Sequence, residues 1–362
     1  MAVQTVYAYV ASYVNSSTDG SPDTIGLYAF RLDPHTGALT PVQEVAGASP
    51  VWIEVAPSRR FLYACYSLQG DQAPRVGAVD AFAIDPRTGT LELLNRVWLQ
   101  DRGCAHLAVA PDGQHVVVAN YYGGTYAVLP VQTDGRLGPV IHTVRNTGSG
   151  PHPRQESSHP HAVVFDPQGR FLATADLGID KVQVLRLADG RLERVSEATL
   201  PPGTGPRHLA FAQDGRTLYA IGELDGSITA FSYDAATGTV QETLQSLATA
   251  PPTYTGPPSG AEIAVHPSGD LLYASNRGSQ TITAFRIDRA TGTLSVIDHT
   301  GQGVSGPTNF VIDPTGRWLY INNSTADTIA PYAVDPETGA LKPIERATPV
   351  PIPLMMALRC GG

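Results

Sequence analysis

In this chain of 362 residues, His161, Arg207, Glu223 and Arg277 are among the side chains whose types could do acid–base or anion-binding chemistry. A histidine titrates near neutrality and can take a proton from water. An arginine can grip a phosphate or carboxylate through paired N–H groups, or stabilise the oxyanion of an acyl transfer. A glutamate beside them can act as the base, or can orient the histidine or an arginine. Each also has a structural reading: a histidine bonded to backbone, or a Glu–Arg pair joining neighbouring elements. The sequence has no G-x-S-x-G elbow, no G-x-x-x-x-G-K-[ST] and no strand-linked G-x-G-x-x-G. Neither a serine nucleophile nor a nucleotide cofactor is therefore implied.

Residues so distant in sequence need a fold that gathers them, and an internal repeat supplies one. A turn of the form D-x-x-T-G-x-L, or its shorter relative D-G-R-L, places a glycine at Gly37, Gly89, Gly135, Gly190, Gly238, Gly292 and Gly339. Between these turns lie Pro57, Pro111, Pro167, Gln213, Pro267 and Pro314, most of them followed by a glycine turn and an apolar strand. Repeats of 40–50 residues with short β-runs and polar turns are the signature of propeller blades. The expectation is an all-β, seven-bladed β-propeller with four antiparallel strands per blade, forming a single domain over residues 1–362. In the unit from Glu262, EIAVHP reads as the innermost strand, LLYASNR as the second, TITAFRID as the third, and the segment after Thr293 as the fourth. The period-2 alternation of TITAFRI and VQVLRL fits half-buried strands. The first run, VYAYVASYV, aligns with second strands, whereas the last, PIPLMMALRC, resembles an innermost strand. The N- and C-terminal strands are thus expected to pair in one blade and tie the ring shut.

Two registers of the repeat point at the axis. The start of the innermost strand, five or six residues before the marker, holds Trp52, His106, His161, Arg207 with His208, Glu262 and Asn309. The end of the second strand holds, among others, Tyr121, Asp176, Glu223 and Arg277. Charged groups are rarely enclosed unless paired or used, so this polar set on apolar strands is a candidate site. Arg154, His159, His106, Glu262, Asn309 and Asp176 are candidate substrate-binding residues. Asp176 has the alternative reading of stitching strands, and Arg154 lies in the loop His152–Glu156, HPRQE, which leads to the mouth. His159 and His161 would need a third ligand, such as His106 or Glu262, to hold a metal. No compact ligand spacing is present, so no metal and no cofactor is expected.

Composition narrows the partners. The formal net charge is −9, and Lys181 and Lys342 are the lysines, which argues against nucleic acid. No stretch approaches the roughly 20 apolar residues of a membrane span. MAVQTVYAYV lacks the basic region and long apolar run of a signal peptide. Cys65, Cys104 and Cys360 are odd in number and show no C-x-x-C spacing. A cytoplasmic protein with reduced cysteines is the expectation, as a monomer or small homo-oligomer.

At these registers the chain resembles the lactonase-type seven-bladed propellers, among them the bacterial propeller 6-phosphogluconolactonases and the fungal 3-carboxy-cis,cis-muconate lactonizing enzyme. The match is carried by GSGPHPRQESSHPHAVVFDPQGRFLATADLGIDKV (148–182), GTGPRHLAFAQDGRTLYAIGELDGSITAF (203–231), AEIAVHPSGDLLYASNRGSQTITAF (261–285), CAHLAVAPDGQHVVVANYYGG (104–124) and GPTNFVIDPTGRWLYINNS (306–324). R-Q-E with H-x-H and D-L-G-x-D mark the bacterial branch. The resemblance implies that His161, Arg207, Glu223 and Arg277 are catalytic and that the partner is a small anionic lactone, 6-phosphogluconolactone foremost. A muconate cycloisomerase and a non-catalytic binding platform are the alternatives, the latter disfavoured because the polar exceptions gather on the axis. The chain departs from the family where P-R-[DN]-F is usual: it has Pro307-Thr308-Asn309-Phe310, one arginine fewer at the mouth. The segment from Gln69 to Arg75 also looks longer than usual.

Overall fold

The computed structural model describes residues 6–13, 25–47, 49–70 and 73–360. Each repeat forms one antiparallel sheet, and seven such sheets are present. Their innermost strands are Pro353–Cys360 in blade 1, Trp52–Val55 in blade 2 and Cys104–Val109 in blade 3. Pro160–Phe165, Pro206–Phe211, Gly260–Val265 and Pro307–Ile312 continue the series through blades 4 to 7. Each inner strand packs beside the next, and the seventh packs against the first, so the strands enclose one axis. The blade expected from Glu262 onward is observed: Gly260–Val265, Leu271–Asn276, Thr281–Ile287 and Leu294–Thr300 pair in that order. Blade 7 carries an addition the repeat does not announce, the short strand Thr348–Pro349 pairing with Thr328–Val334.

Closure follows the expected route. Val6–Ser12 pairs with Pro353–Cys360 from Val6↔Cys360 through Ser12↔Pro353, and with Ile25–Leu32 on its other side. Blade 1 therefore takes its inner strand from one end of the chain and its outer strands from the other. Every residue of Val6–Ser12 is buried.

The structure also gives the repeated turn a purpose. Tyr9, Tyr63, Tyr219 and Tyr273 sit fully buried on second strands. Each phenol donates to the carbonyl of the turn glycine in the following blade: Gly89 at 3.0 Å, Gly135 at 3.1 Å, Gly292 at 2.9 Å and Gly339 at 2.7 Å. Between blades 7 and 1 the indole of Trp318 does the same work, donating to the Pro34 carbonyl at 3.0 Å. A buried phenol needs such a partner, and the turn has to come close to provide it. Gly89, at φ 74°, has no room for a Cβ against the ring of Tyr7, so the glycine serves packing as well as turn geometry.

One expectation is overturned. Cys65, in the second strand of blade 2, and Cys104, opening the inner strand of blade 3, are not free thiols but form a disulfide with Cα atoms 6.0 Å apart. The spacing of 39 residues hid the pairing, because the propeller sets the end of one blade's second strand beside the start of the next blade's inner strand. The segment Gln69–Arg75 lies in the hairpin of Phe61–Gly70 with Ala73–Ile84. Its side chains, and residues 71 and 72 altogether, lie outside the described residues. No helix among the described residues is long and apolar enough to cross a membrane. Thiol titration of the denatured, unreduced protein is expected to find one reactive cysteine, Cys360. Three reactive thiols would restore the reduced, cytoplasmic expectation.

Candidate active site

The inner strands do not run straight into the mouth of the channel. In blades 3, 4, 5 and 7 the pairing between inner and second strand slips by one residue, between Cys104 and His106, Pro160 and Ala162, Pro206 and His208, and Pro307 and Asn309. The bulged residues are Ala105, His161, Arg207 and Thr308, and all of them line one cavity of about 660 Å³. A bulge turns a side chain out of the alternation of its strand and is common beside active sites. It also explains why the candidates fall five or six residues before the marker. His161 and Arg207 occupy the bulge and face the mouth. His106 and Glu262 line the narrower channel below it instead.

Glu223 sits at the centre of the cavity, with its side chain 6% exposed. Arg154 Nη1 donates to Oε1 at 2.6 Å. Arg277 Nη2 lies 3.0 Å from the same oxygen. Arg207 Nε lies 2.9 Å from Oε2, at ion-pair distance but off the line of a hydrogen bond. His161 Nε2 is 3.8 Å from Oε2, too far for a direct hydrogen bond. Burial alone would raise the pKa of Glu223. Arg277, then Arg207 and Arg154, outweigh burial and hold the carboxyl well below the usual carboxylate range. Burial, and then Arg277, pull the Arg207 guanidinium down to about 10, still a cation at neutral pH. Burial, with Arg207 and His208 next, keeps the His161 imidazole well below its ordinary value, so it is neutral at pH 7.

Around this centre the other candidates take different places. Arg154 is half-exposed and also donates to the Tyr121 hydroxyl at 3.3 Å. His159 stacks on Tyr121 with ring centroids 4.4 Å apart, and its Nε2 lies 3.1 Å from Glu156 at the rim. Asn309 borders the cavity, but its amide donates to Glu262 and its oxygen accepts from Asn322 at 3.1 Å. Asp176 does not belong with the substrate-binding candidates. It is fully buried and lines none of the cavity, and its two oxygens accept from His159 N, Gly178 N, Asn146 Nδ2 and Ser158 Oγ. It pins the segment that delivers His159 and His161, which is the stitching role.

Sequence reasoning missed Asp180. Its carboxylate accepts from Gln155 Nε2 at 2.7 Å, Gly205 N at 2.7 Å and Gly203 N at 2.8 Å, tying the HPRQE loop to blade 5. The buried Gln155 and the second Asp of D-L-G-x-D were the available signal. Tyr121, noted only as a register position, and His208, noted only beside Arg207, also belong to the wall. Among the described residues, no three His, Cys, Asp or Glu side chains are grouped so as to hold a metal ion.

Comparison with known proteins agrees with this geometry. The profile of the seven-bladed β-propeller lactonases matches residues 7–358. The 6-phosphogluconolactonase of Bacillus subtilis is 32% identical over 300 residues, 83% of this chain and 84% of that protein. That of Formosa agariphila is 29% identical, covering 82% and 85%. The structure of the periplasmic gluconolactonase of Pseudomonas aeruginosa superposes with a TM-score of 0.89 at 28% identity, over 99% of this chain and 100% of that one.

The charge balance of the cavity has a measurable consequence. Glu223→Gln leaves buried guanidiniums without their carboxylate, and removing one partner of a buried ion pair costs about 3–5 kcal/mol. The urea midpoint is expected to fall accordingly, and millimolar inorganic phosphate should recover part of the loss by occupying the freed arginines. An unchanged midpoint would show that Glu223 is not the counter-ion of this cluster.

Proposed function

The chain belongs to the seven-bladed β-propeller lactonase family, and we propose that it hydrolyses a small anionic sugar lactone, 6-phosphogluconolactone first among them. The observation that carries this reading is the composition of the cavity. Arg154, Arg207 and Arg277 converge on the single buried carboxylate of Glu223, with a neutral His161 on the adjoining wall. The surplus positive charge suits an anionic substrate, and the neutral imidazole suits a proton acceptor.

In this mechanism His161 takes a proton from water as the water oxygen bonds to the lactone carbonyl carbon. Arg207 and Arg277 stabilise the oxyanion that forms. The bond from that carbon to the ring oxygen then breaks, and the imidazolium returns its proton to the ring oxygen as it leaves. The product acid ionises and releases one proton to solvent. Both oxygens of Glu223 are taken up by guanidiniums, so its role is to hold them in place and the base is His161. Arg154, half-exposed on its loop, is the anchor for the substrate phosphate and can exchange Glu223 for it. The named relatives are lactonases, which favours hydrolysis over closure of a muconate ring. All of these groups come from one chain, so a monomer or small homo-oligomer suffices. For the compartment, the Cys65–Cys104 bond and the likeness to a periplasmic protein weigh against the cytoplasmic reading, and the thiol count separates the two.

Proton release at neutral pH tests the proposal with 6-phosphogluconolactone and unphosphorylated gluconolactone. His161→Ala is expected to lower kcat by roughly 10²–10⁴-fold. Arg154→Ala should raise KM for the phosphorylated lactone while leaving that for gluconolactone nearly unchanged. Wild-type rates no faster than spontaneous opening on both substrates would refute the lactonase reading. An equal effect of Arg154→Ala on both would remove its role as the phosphate anchor.

A further inference from the structure

Beneath Arg207 lies a hydrogen-bonded series that the proposed chemistry does not use. His208 is buried, and its Nδ1 is 3.0 Å from Glu262 Oε1. The Arg207 guanidinium rests against the same imidazole, with Nη1 3.1 Å from Nε2 and 3.4 Å from Nδ1, and also donates to the Ala261 carbonyl at 2.9 Å. Glu262 Oε1 accepts the Ile263 N–H at 3.0 Å, and Oε2 accepts the Asn309 amide. Asn309 in turn cannot reverse its amide freely. Its Oδ1 takes the Asn322 amide at 3.1 Å and the Met356 N–H at 3.4 Å.

These donors and acceptors fix a protonation pattern. The Arg207 nitrogen, almost equally far from both ring nitrogens, lies over the face of the imidazole and on the lone pair of neither, so the tautomer is decided at Nδ1. The neutral ring then carries its proton on Nδ1, where an acceptor, Glu262 Oε1, awaits it. Burial pushes the Glu262 carboxyl up to about 7 against the Ile263 N–H and the Asn309 amide, which lower it, so above that pH it is the ionised acceptor that Nδ1–H requires. We propose that Glu262 and His208 are a positioning pair for Arg207: Glu262 holds the Nδ1–H tautomer and the orientation of His208, and the face of the neutral ring then seats the guanidinium on the floor of the cavity. The consequence for catalysis rests on the lactonase reading, whereas the tautomer does not.

The test uses the full chain with ¹⁵N-labelled histidine. At pH 8, where Glu262 is ionised, the wild-type His208 tautomer read by NMR is expected to be Nδ1–H; a proton on Nε2, or a doubly protonated ring, would overturn the proposal. Glu262→Gln keeps the shape but turns one oxygen into an N–H₂ group, which faces a donor on either side. His208 should lose its Nδ1 proton, and kcat on 6-phosphogluconolactone should fall between about tenfold and a hundredfold, as for a slightly misplaced catalytic group, with KM little changed. Adding Asn309→Asp restores the match. The carboxylate placed at position 309 accepts from the amide introduced at position 262, whose remaining oxygen again accepts from His208. The double variant should regain the Nδ1–H tautomer and most of kcat, the coupling that a double-mutant cycle reads. A folded single variant with unaltered kcat, or a folded double variant no better than the single, would also overturn it. If the wild type turned over no lactone, the function would fall, and the wild-type tautomer would still decide the pair.

Discussion

One buried carboxylate organises the mouth of this propeller. Glu223 is the common partner of three guanidiniums that arrive on separate elements: Arg154 from the HPRQE loop, Arg207 from the inner strand of blade 5, and Arg277 from the end of the second strand of blade 6. Three such cations cannot be gathered in a closed space without an anion, because desolvation and mutual repulsion would oppose them. Glu223 makes the cluster possible and leaves it incompletely neutralised. The site therefore retains an attraction for a second anion, and the fold supplies room for one above it.

The ring exists to make that convergence rigid. Its blades are joined where buried tyrosines of one blade reach the turn of the next, and where the first and last strands of the chain share a sheet. A propeller held this way has little freedom to relax around a charge cluster, so the inner-strand bulges do the local aiming. His161 and Arg207 are each the extra residue of a bulge. Without the slip their side chains would follow the strand alternation away from the mouth. The neighbours one position on, such as His208 and Asn309, reach Glu262 and form the support beneath.

Much of this was legible in the sequence. The turn glycines counted the blades, VYAYVASYV and PIPLMMALRC disclosed the closure, and the polar exceptions on apolar strands marked a wider set from which the family resemblance singled out His161, Arg207, Glu223 and Arg277. What stayed hidden depends on geometry that a linear pattern does not carry. The bulge makes adjacent residues, Arg207 and His208, serve different layers, and the repeat alone merges them into one register. Asp176 reads as a polar residue at the axis, yet its oxygens are consumed by backbone and side-chain donors within its own blade and the preceding connection. Cys65 and Cys104 sit in different repeats, and only the contact between blades brings their sulfurs together.

The bulge of blade 7 sharpens the proposed reading of the substrate. Thr308 occupies the bulge of blade 7, equivalent to Arg207 in blade 5, and its hydroxyl donates at 3.3 Å to the Pro353 carbonyl. An arginine there would add a cation on the wall formed by blades 7 and 1. With threonine instead, that side of the cavity is lined by uncharged groups such as Val51, Trp52 and Leu354. The positive charge lies on one side, over blades 5 and 6 and the HPRQE loop. A substrate with a single anionic end satisfies this asymmetry, its charge toward Arg154 and its carbonyl toward Arg207 and Arg277. A lactone carrying acidic groups at both ends would leave one of them unpaired against an apolar wall. The uncharged bulge of blade 7 thus argues for a singly anchored lactone over a doubly charged one, on the same electrostatic grounds that bind the cluster to Glu223.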